Sequence, residues 1–127
     1  MKQFETVINT ADEIKAEELI DSKAAFFTPA FPEPQYGAKG YLALVHWLRK
    51  SFPDVQWHMQ DIVAAEGKVA VLWECTGTHE SEFMGISATH KTFKTTFMNI
   101  YYFNGDGKIT KDVAAVGMVG ILNALKN

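Results

Sequence analysis

The sequence predicts one α+β domain, in which helices near the N-terminus pack on one face of a curved antiparallel sheet. Apolar residues recur at helical spacing in the first part of the chain. From residue 55 onward apolar and polar residues alternate, as they do in half-buried strands. Two turn sequences, Glu66–Lys68 and Asn104–Gly107, divide this second part into hairpins. Helices and strands therefore occupy separate parts of the chain, which indicates an α+β fold.

The first part of the chain contains two helical regions and a short strand. Apolar residues near the N-terminus have helical spacing, and Asp12 marks a helix start. The apolar run Ala24–Thr28, closed by a proline, predicts a strand. Phe31–Gly37 holds two prolines and a glycine, which predicts a loop. The clearest helix is Gly40–Ser51, whose apolar residues recur at i, i+3, i+4 and i+7, and Pro53 ends it.

Four strands and a short closing helix are predicted for the rest of the chain. The strands are Val55–Met59, Val69–Cys75, Thr89–Phe103 and Lys108–Val116, and the helix is Met118–Leu125. Joined by short turns, the strands predict an antiparallel meander. A strongly bent sheet around a helix leaves a conical cavity, and such cavities are the usual ligand sites.

Composition predicts a single domain over residues 1–127 that binds neither nucleic acid nor membrane. The 12 Lys and Arg residues are scattered and outnumbered by 15 acids, giving a net charge of -3. Nucleic acids and anionic membranes both require clustered basic residues. Cys75 is the one cysteine, so no intrachain disulfide is possible. No apolar run resembles a signal peptide or a membrane span, and we therefore expect a cytoplasmic protein.

Five short motifs resemble the SnoaL-like (polyketide-cyclase-like) family of the NTF2-like superfamily. They are Phe52–Asp54, Ala65–Gly67, Gly77–His79, Glu82–Thr89 and Gly107–Ile109, in the family's order and spacing. The resemblance covers about residues 40 to 125. It implies an NTF2-like/cystatin-like conical barrel and a homodimer formed through the sheet. It also implies metal-free acid/base catalysis without a cofactor in an apolar pocket, as in aldol-type cyclases and isomerase-like members.

Two positions of the last strand depart from the pattern of this family. Val113 stands where the family has Trp, and Gly117 stands where it has Asp. That Asp is the acid/base group of the characterised cyclases. Small residues at Ala115 and Gly117 would also leave the pocket roomier at this wall.

Strand alternation predicts which side chains face the helices and the cavity. The set comprises Trp57, Trp73, His79, Asn99, Tyr101, Val113 and Gly117. The same parity places Lys111 inward and Asp112 outward. Trp57, Trp73 and Tyr101 offer flat walls for a hydrophobic or aromatic ligand, and they suit a packed core equally well.

His79 is the predicted catalytic residue because an imidazole can gain or lose a proton near neutral pH. It could remove a proton from an acidic C–H group or donate to an enolate oxygen; alternatively it ties down the following loop. Asn99 could donate to a ligand carbonyl, or pair with a backbone group or with His79. Cys75 is predicted to be a buried, inert thiol. The four His show no metal-ligand spacing, so no metal is predicted.

Three functions remain open from the sequence. The first is a cyclase, isomerase or lyase acting on a ketone-bearing hydrophobic ligand. The second is a binding protein that kept the pocket and lost the acid, and the third is a dimerisation module with a filled cone. An open cavity of about 300 Å³ or more would favour the first two.

Overall fold

Helices and strands follow one another largely in the predicted order. The computed structural model describes residues 1–28, 31–115 and 119–126. The helices are α1 (Lys2–Thr10), α2 (Glu13–Leu19), α3 (Gly37–Ser51) and α4 (Val119–Lys126). The strands are β1 (Ile20–Phe27), β2 (Gln35–Tyr36), β3 (Gln56–Ala65), β4 (Lys68–Thr78), β5 (Thr92–Phe103) and β6 (Ile109–Ala114). None of the helices within these ranges is long and apolar enough to cross a membrane.

The six strands form one open sheet with the order β2-β1-β6-β5-β4-β3. Strands β3 to β6 pair as the predicted antiparallel meander. Strand β1 extends the sheet by pairing in parallel with β6, and the short β2 pairs antiparallel with β1. The loop predicted around Phe31–Gly37 therefore contains a two-residue strand. The predicted α+β architecture is confirmed, and the meander supplies four of the six strands.

Irregular pairing bends the sheet in three places. The register shifts between Met59 and Asp61 in β3, and between β1 and β6 near the start of both strands. A further shift separates the pairs Tyr102–Lys111 and Phe103–Ile109, which leaves Thr110 as an extra residue in β6. An extra residue bends its strand and increases the local twist, so the sheet acquires a concave face.

Helices α1 and α3 pack against the concave face of the sheet. Helix α3 buries an apolar stripe that consists of Tyr41, Leu42, Leu44, Val45 and Leu48. Its predicted helical spacing therefore marks a real core face. Helix α2 begins where the sequence predicts, because the Asp12 side chain accepts a hydrogen bond from the Lys15 amide at 3.1 Å.

Helix α1 is held over β3 by polar contacts as well as by its buried apolar face. The Asn9 side chain donates to the Trp57 carbonyl at 2.9 Å and accepts from the Trp57 amide at 2.8 Å. Arg49 of α3 donates to the carbonyl oxygens of Ile8 and Asn9 near the end of α1. The two Arg49 bonds satisfy carbonyls near the end of α1 that have no partner inside the helix. Together with the Asn9 bonds they also fix Ile8 and Trp57, which both border the cavity described next.

Candidate active site

A narrow, partly open cavity lies between α3 and the concave face of the sheet. Its volume is about 90 Å³, and most of its wall is apolar. Leu44, Val45 and Leu48 of α3 form one side. The polar side chains that reach it are Thr28, Tyr41, Asn99, Tyr101 and Asp112. The volume is well below the roughly 300 Å³ of an ordinary ligand pocket.

Asp112 is a buried carboxyl group on the wall of this cavity. The residue is 6% exposed, and its Oδ1 accepts a hydrogen bond from Asn99 Nδ2 at 2.8 Å. Among the described residues no donor reaches Oδ2. Burial raises the pKa of Asp112 to about 7, and the Asn99 bond opposes this by favouring the ionised form. The carboxyl group can therefore both take up and release a proton near neutral pH.

The bulge in β6 explains why Asp112 faces inward. Ile109 is buried on the concave face, and the extra residue Thr110 then reverses the alternation of side chains. Lys111 is exposed and Asp112 is buried, opposite to the prediction from strict alternation. The expectation that Asp112 points outward is wrong for this reason.

The same reversal changes the predicted pocket wall beyond Asp112. Val113 is half-buried, pairs with Ile100 and Phe27, and is not part of the cavity lining. Ala114 lines the cavity in its place. Ala115 is exposed, so it does not widen the pocket as expected. Gly117, the other predicted member of this wall, lies outside the described residues.

Two tyrosines place phenol groups near Asp112. The Trp73 indole N–H donates to the Tyr101 hydroxyl oxygen at 2.9 Å, which leaves the Tyr101 proton available to another acceptor. Burial, and next the negative charge of Asp112, raise the pKa of both Tyr41 and Tyr101 well above the usual value. Both side chains therefore remain neutral hydrogen-bond donors over the physiological pH range.

Four of the side chains predicted to face the pocket do border the cavity. They are Trp57, Trp73, Asn99 and Tyr101. Side chains alternate regularly through the central parts of β4 and β5, and Trp57 precedes the irregularity in β3. Strand alternation therefore locates all four residues. Their role in ligand binding stays a prediction. Asn99 pairs with Asp112, and this replaces the expected alternatives of His79 or a backbone group.

His79 is buried, with 0% exposure, but it does not border the cavity. Its Nδ1 accepts a hydrogen bond from the Thr89 amide at 3.2 Å and lies 3.0 Å from the Thr89 hydroxyl. Its ring centroid is 5.5 Å from that of Phe52. The His79 amide also donates to Lys91, and its carbonyl accepts from His90. This position matches the alternative in which the imidazole ties down the following loop.

The described residues offer neither a metal site nor a reactive thiol. No group of three His, Cys, Asp or Glu side chains there could hold a metal ion. Cys75 is buried, and burial raises the pKa of its thiol far above the usual value. The thiol is therefore not a nucleophile at neutral pH.

Sequence reasoning missed three polar side chains of the cavity, namely Thr28, Tyr41 and Asp112. Thr28 and Tyr41 lie outside the strands of the meander, so strand alternation makes no prediction for them. For Asp112 one indirect signal existed, because Asn99 was expected inward and a buried amide requires a partner. A carboxyl group on the neighbouring strand is such a partner.

Comparison with known proteins identifies the family and supports the fold. A family profile described as SnoaL-like polyketide cyclase matches residues 1–125. The structure of IdmH, a candidate polyketide cyclase of Streptomyces antibioticus, is similar with a TM-score of 0.83 and 27% identity. The match covers 99% of this chain and 95% of that one. No curated protein sequence matches this chain significantly.

Two further solved structures are similar over almost the whole chain. A candidate polyketide cyclase of Acidithiobacillus ferrooxidans is 26% identical with a TM-score of 0.82, over 98% of this chain and 90% of that one. TsrD of Streptomyces laurentii has a TM-score of 0.82 at 18% identity, over 98% of this chain and 90% of that one. The likeness to TsrD shows the fold alone.

Proposed function

Since this chain belongs to the SnoaL-like polyketide cyclase family, we propose that it moves protons to and from a carbonyl compound, with Asp112 as the acid/base group. One observation carries the proposal. Asp112 is a carboxyl group that borders an apolar cavity, with one oxygen held by Asn99 and the other without a described donor. His79, the residue first expected in this role, lies away from that cavity.

The chemistry begins with enolisation. The Asp112 carboxylate takes a proton from the carbon next to the ligand carbonyl. The C–H electron pair forms the new C=C bond, and the carbonyl π pair moves to oxygen as an enolate. Neutral phenol groups of Tyr41 and Tyr101 are suitable donors for that oxygen.

The protonated Asp112 then completes either of two reactions. In an aldol cyclisation the enolate carbon bonds to a second carbonyl carbon, and Asp112 returns its proton to the resulting alkoxide. In an isomerisation of a β,γ-unsaturated ketone the same proton returns to the γ-carbon of the dienolate, which moves the C=C bond next to the carbonyl group. Both reactions regenerate the carboxylate. A pKa of about 7 suits both halves, because the group must release the proton as readily as it takes it.

Asp112 thus stands in for the acid that the family resemblance places at Gly117. The two positions lie in the same C-terminal part of the chain. The bulge at Thr110 turns Asp112 toward the concave face, and burial supplies the raised pKa. An acid/base group at Asp112 therefore makes an ionisable side chain at position 117 unnecessary.

A second candidate function is ligand binding without catalysis. It is favoured by the small cavity volume of about 90 Å³, which is nearer to a packed cone than to an open pocket. Under this alternative Asp112 and Asn99 would form a buried polar pair that only orients a ligand. Proton exchange separates the two functions, because binding alone exchanges no C–H protons.

The decisive experiment measures hydrogen–deuterium exchange of α-protons in D₂O by NMR, with methyl ketones as probes. Asp112→Asn should lower the exchange rate about 100-fold or more, since a general base typically contributes that much. Asp61→Asn, which changes an exposed acid on β3, is the matched control and should leave the rate unchanged. Equal exchange by the wild type and Asp112→Asn would overturn the proposal, and an absence of exchange by both would favour pure binding.

We also propose a homodimer formed through the convex face of the sheet. An apolar row crosses five strands there, since the partners Val63–Ala70, Ala70–Ile100, Ile100–Val113 and Phe27–Val113 are adjacent in register. Met98 on the same face is 51% exposed. A contiguous exposed apolar row of this kind marks an association surface.

Sedimentation analysis tests this dimer. Ile100→Glu should convert a dimer to a monomer, because a charge buried at the interface without a partner is costly. Ile14→Glu is the control, since Ile14 is an exposed apolar side chain on α2, away from the sheet. A monomeric wild type would rule out the dimer.

A further inference from the structure

The volume of the cavity limits what can enter it. Its volume is about 90 Å³. An engineered cavity that accepts one benzene ring measures about 150 Å³. A fused-ring ketone therefore cannot place its carbonyl group inside this cavity, whereas a short acyl group of a few heavy atoms fits.

The cavity walls are interlocked rather than free to swing aside. Tyr41 packs on Phe4 and Phe26, with ring centroids 5.1 and 4.7 Å apart. Tyr101 packs on Phe4 at 5.3 Å and accepts the hydrogen bond from Trp73. Widening the cavity would break several of these contacts together, and aromatic pairs stabilise the core beyond the burial of their area. The narrow shape is therefore a property of the packed core.

Thr28 supplies this cavity with a hydroxyl group that no other described residue binds. The residue follows the last residue of β1 and borders the cavity. Its Oγ1 is buried and has no hydrogen-bond partner among the described residues. A buried hydroxyl without a partner is unfavourable because it has lost its hydrogen bonds to water, and a bound ligand that offers an acceptor would relieve that cost.

The sheet register relates Thr28 to Asp112. Phe26 pairs with Asp112 and Phe27 pairs with Val113, so Thr28 follows two positions after the partner of Asp112. Residues two apart share a face and lie roughly 7 Å apart along a strand, while neighbouring strands are about 4.8 Å apart. The two side chains therefore flank a gap about the length of one acyl group. Asn99 borders the same gap from β5 through its pairing with Ala114.

We propose that the cavity admits only the terminal acyl group of its ligand, such as the CH₃–C(=O)– end of a methyl ketone, and that the Thr28 hydroxyl binds its carbonyl oxygen. The rest of the ligand stays at the cavity mouth. This inference names the substrate class for the proposed function and rests on it for the reaction at Asp112. A ketone whose carbonyl carbon belongs to a fused ring is excluded.

Acetophenone and 1-tetralone test the size limit. Both are aryl ketones, but the carbonyl carbon of acetophenone belongs to a free acetyl group and that of 1-tetralone to a ring. Titrations are followed through the indole N–H resonance of Trp73, assigned with Trp73→Phe. Acetophenone should bind at least 10-fold more tightly than 1-tetralone. Equal affinities, or tighter binding of 1-tetralone, would overturn the proposal.

Thr28→Val tests the hydroxyl, because valine has almost the same shape. The variant should bind acetophenone about 5- to 10-fold more weakly, and its thermal stability should be unchanged or higher, since the lost hydroxyl bonds to none of the described residues. Thr28→Ser should restore most of the affinity. Thr10→Val is the control, since the Thr10 hydroxyl donates to the Thr6 carbonyl at 2.7 Å at an exposed position of α1, and it should leave the affinity unchanged. Unchanged affinity in Thr28→Val would refute the role of the hydroxyl.

The two proposals fail in different ways. If acetophenone binds and Thr28→Val weakens it, but no α-proton exchange occurs, the acyl site stands and the acid/base function fails. If Asp112-dependent exchange occurs equally with 1-tetralone, the acid/base function stands and the acyl site fails.

Discussion

His79 and Asp112 are two buried titratable side chains associated with the concave side of one sheet, and their surroundings differ in kind. His79 follows β4, bonds to Thr89 of its own loop and packs against Phe52. Asp112 lies within β6, bonds to a neighbouring strand through Asn99 and borders a cavity. Burial and a titratable group are common to both. Each also keeps one polar atom without a partner among the described residues, Nε2 of His79 and Oδ2 of Asp112. The difference is that only Asp112 borders the cavity.

The two side chains also affect the stability of the folded state differently. The contacts of His79 stabilise a loop, so its loss should weaken the fold. The ionised form of Asp112 is poorly solvated, so the folded state tolerates the carboxylate at a cost. We therefore expect that removing the His79 side chain lowers the free energy of unfolding, whereas removing the Asp112 carboxyl group raises it at neutral pH.

The largest expected effect is on the pH dependence of stability. The pKa of Asp112 is 3.8 as a free side chain and about 7 in the fold, so the folded state binds more protons between these values. The free energy of unfolding should therefore decrease as pH rises from about 4 to 7, by about 4 kcal/mol at most. Denaturant melts of the wild type and Asp112→Asn across this range measure the contribution as a difference.

The difference between wild type and Asp112→Asn matters because other acids act in the opposite direction. Hydrogen bonds from Thr78 lower the pKa of Asp54, so that group adds stability as pH rises. Asp54 is present in both proteins and its effect cancels. A difference that stays flat between pH 4 and 7 would mean that Asp112 has an ordinary pKa, and the contrast with His79 would disappear.

A smaller effect is expected from His79→Ala. Removing the ring leaves a cavity beside Phe52 and frees the Thr89 amide, which should lower the free energy of unfolding by roughly 1–3 kcal/mol. The α-proton exchange rate, measured well below the melting temperature, should stay within about 3-fold of wild type. His58→Ala, an exposed histidine on β3, is the control and should change neither quantity. A 100-fold loss of exchange in His79→Ala would restore His79 as the catalytic group.

The smallest effect is expected from Asn99→Leu. The Asn99 amide favours ionised Asp112, so its removal should raise the pKa of Asp112 further. The ascending limb of the pH–rate profile should therefore shift to higher pH. Gln60→Leu removes a comparable amide that donates to the Glu74 carboxylate at an exposed position, and it should leave the profile unchanged. A downward shift in Asn99→Leu would contradict the assigned bond.

Local patterns in the sequence predicted the meander, the helix start at Asp12 and a helix over Gly40–Ser51, which in the structure begins at Gly37. They work because periodicity and capping depend on residues close in sequence. The parallel pairing of β1 with β6 was not predicted, since it joins segments far apart in sequence and no local pattern records it. The two-residue β2 is too short to show alternation at all.

The site was predictable only where strands are regular. Parity located Trp73, Asn99 and Tyr101 because β4 and β5 pair without interruption. It failed at Asp112 because the bulge at Thr110 has no glycine or proline to mark it. Thr28 could not be found from its neighbours, since its position at the cavity depends on where β1 joins the sheet.

The parallel pairing of β1 with β6 has a consequence for the order of folding. Contacts between segments distant in sequence require a long loop to close, and such contacts form late. Hairpins β3–β4 and β4–β5 join neighbouring segments and should form early. Thr28 and Asp112 come from the late pair, so the cavity should be the last part of the molecule to be assembled. Pulse-labelling hydrogen exchange during refolding should protect amides of β4 and β5 before those of β1. Protection of β1 first would contradict this order.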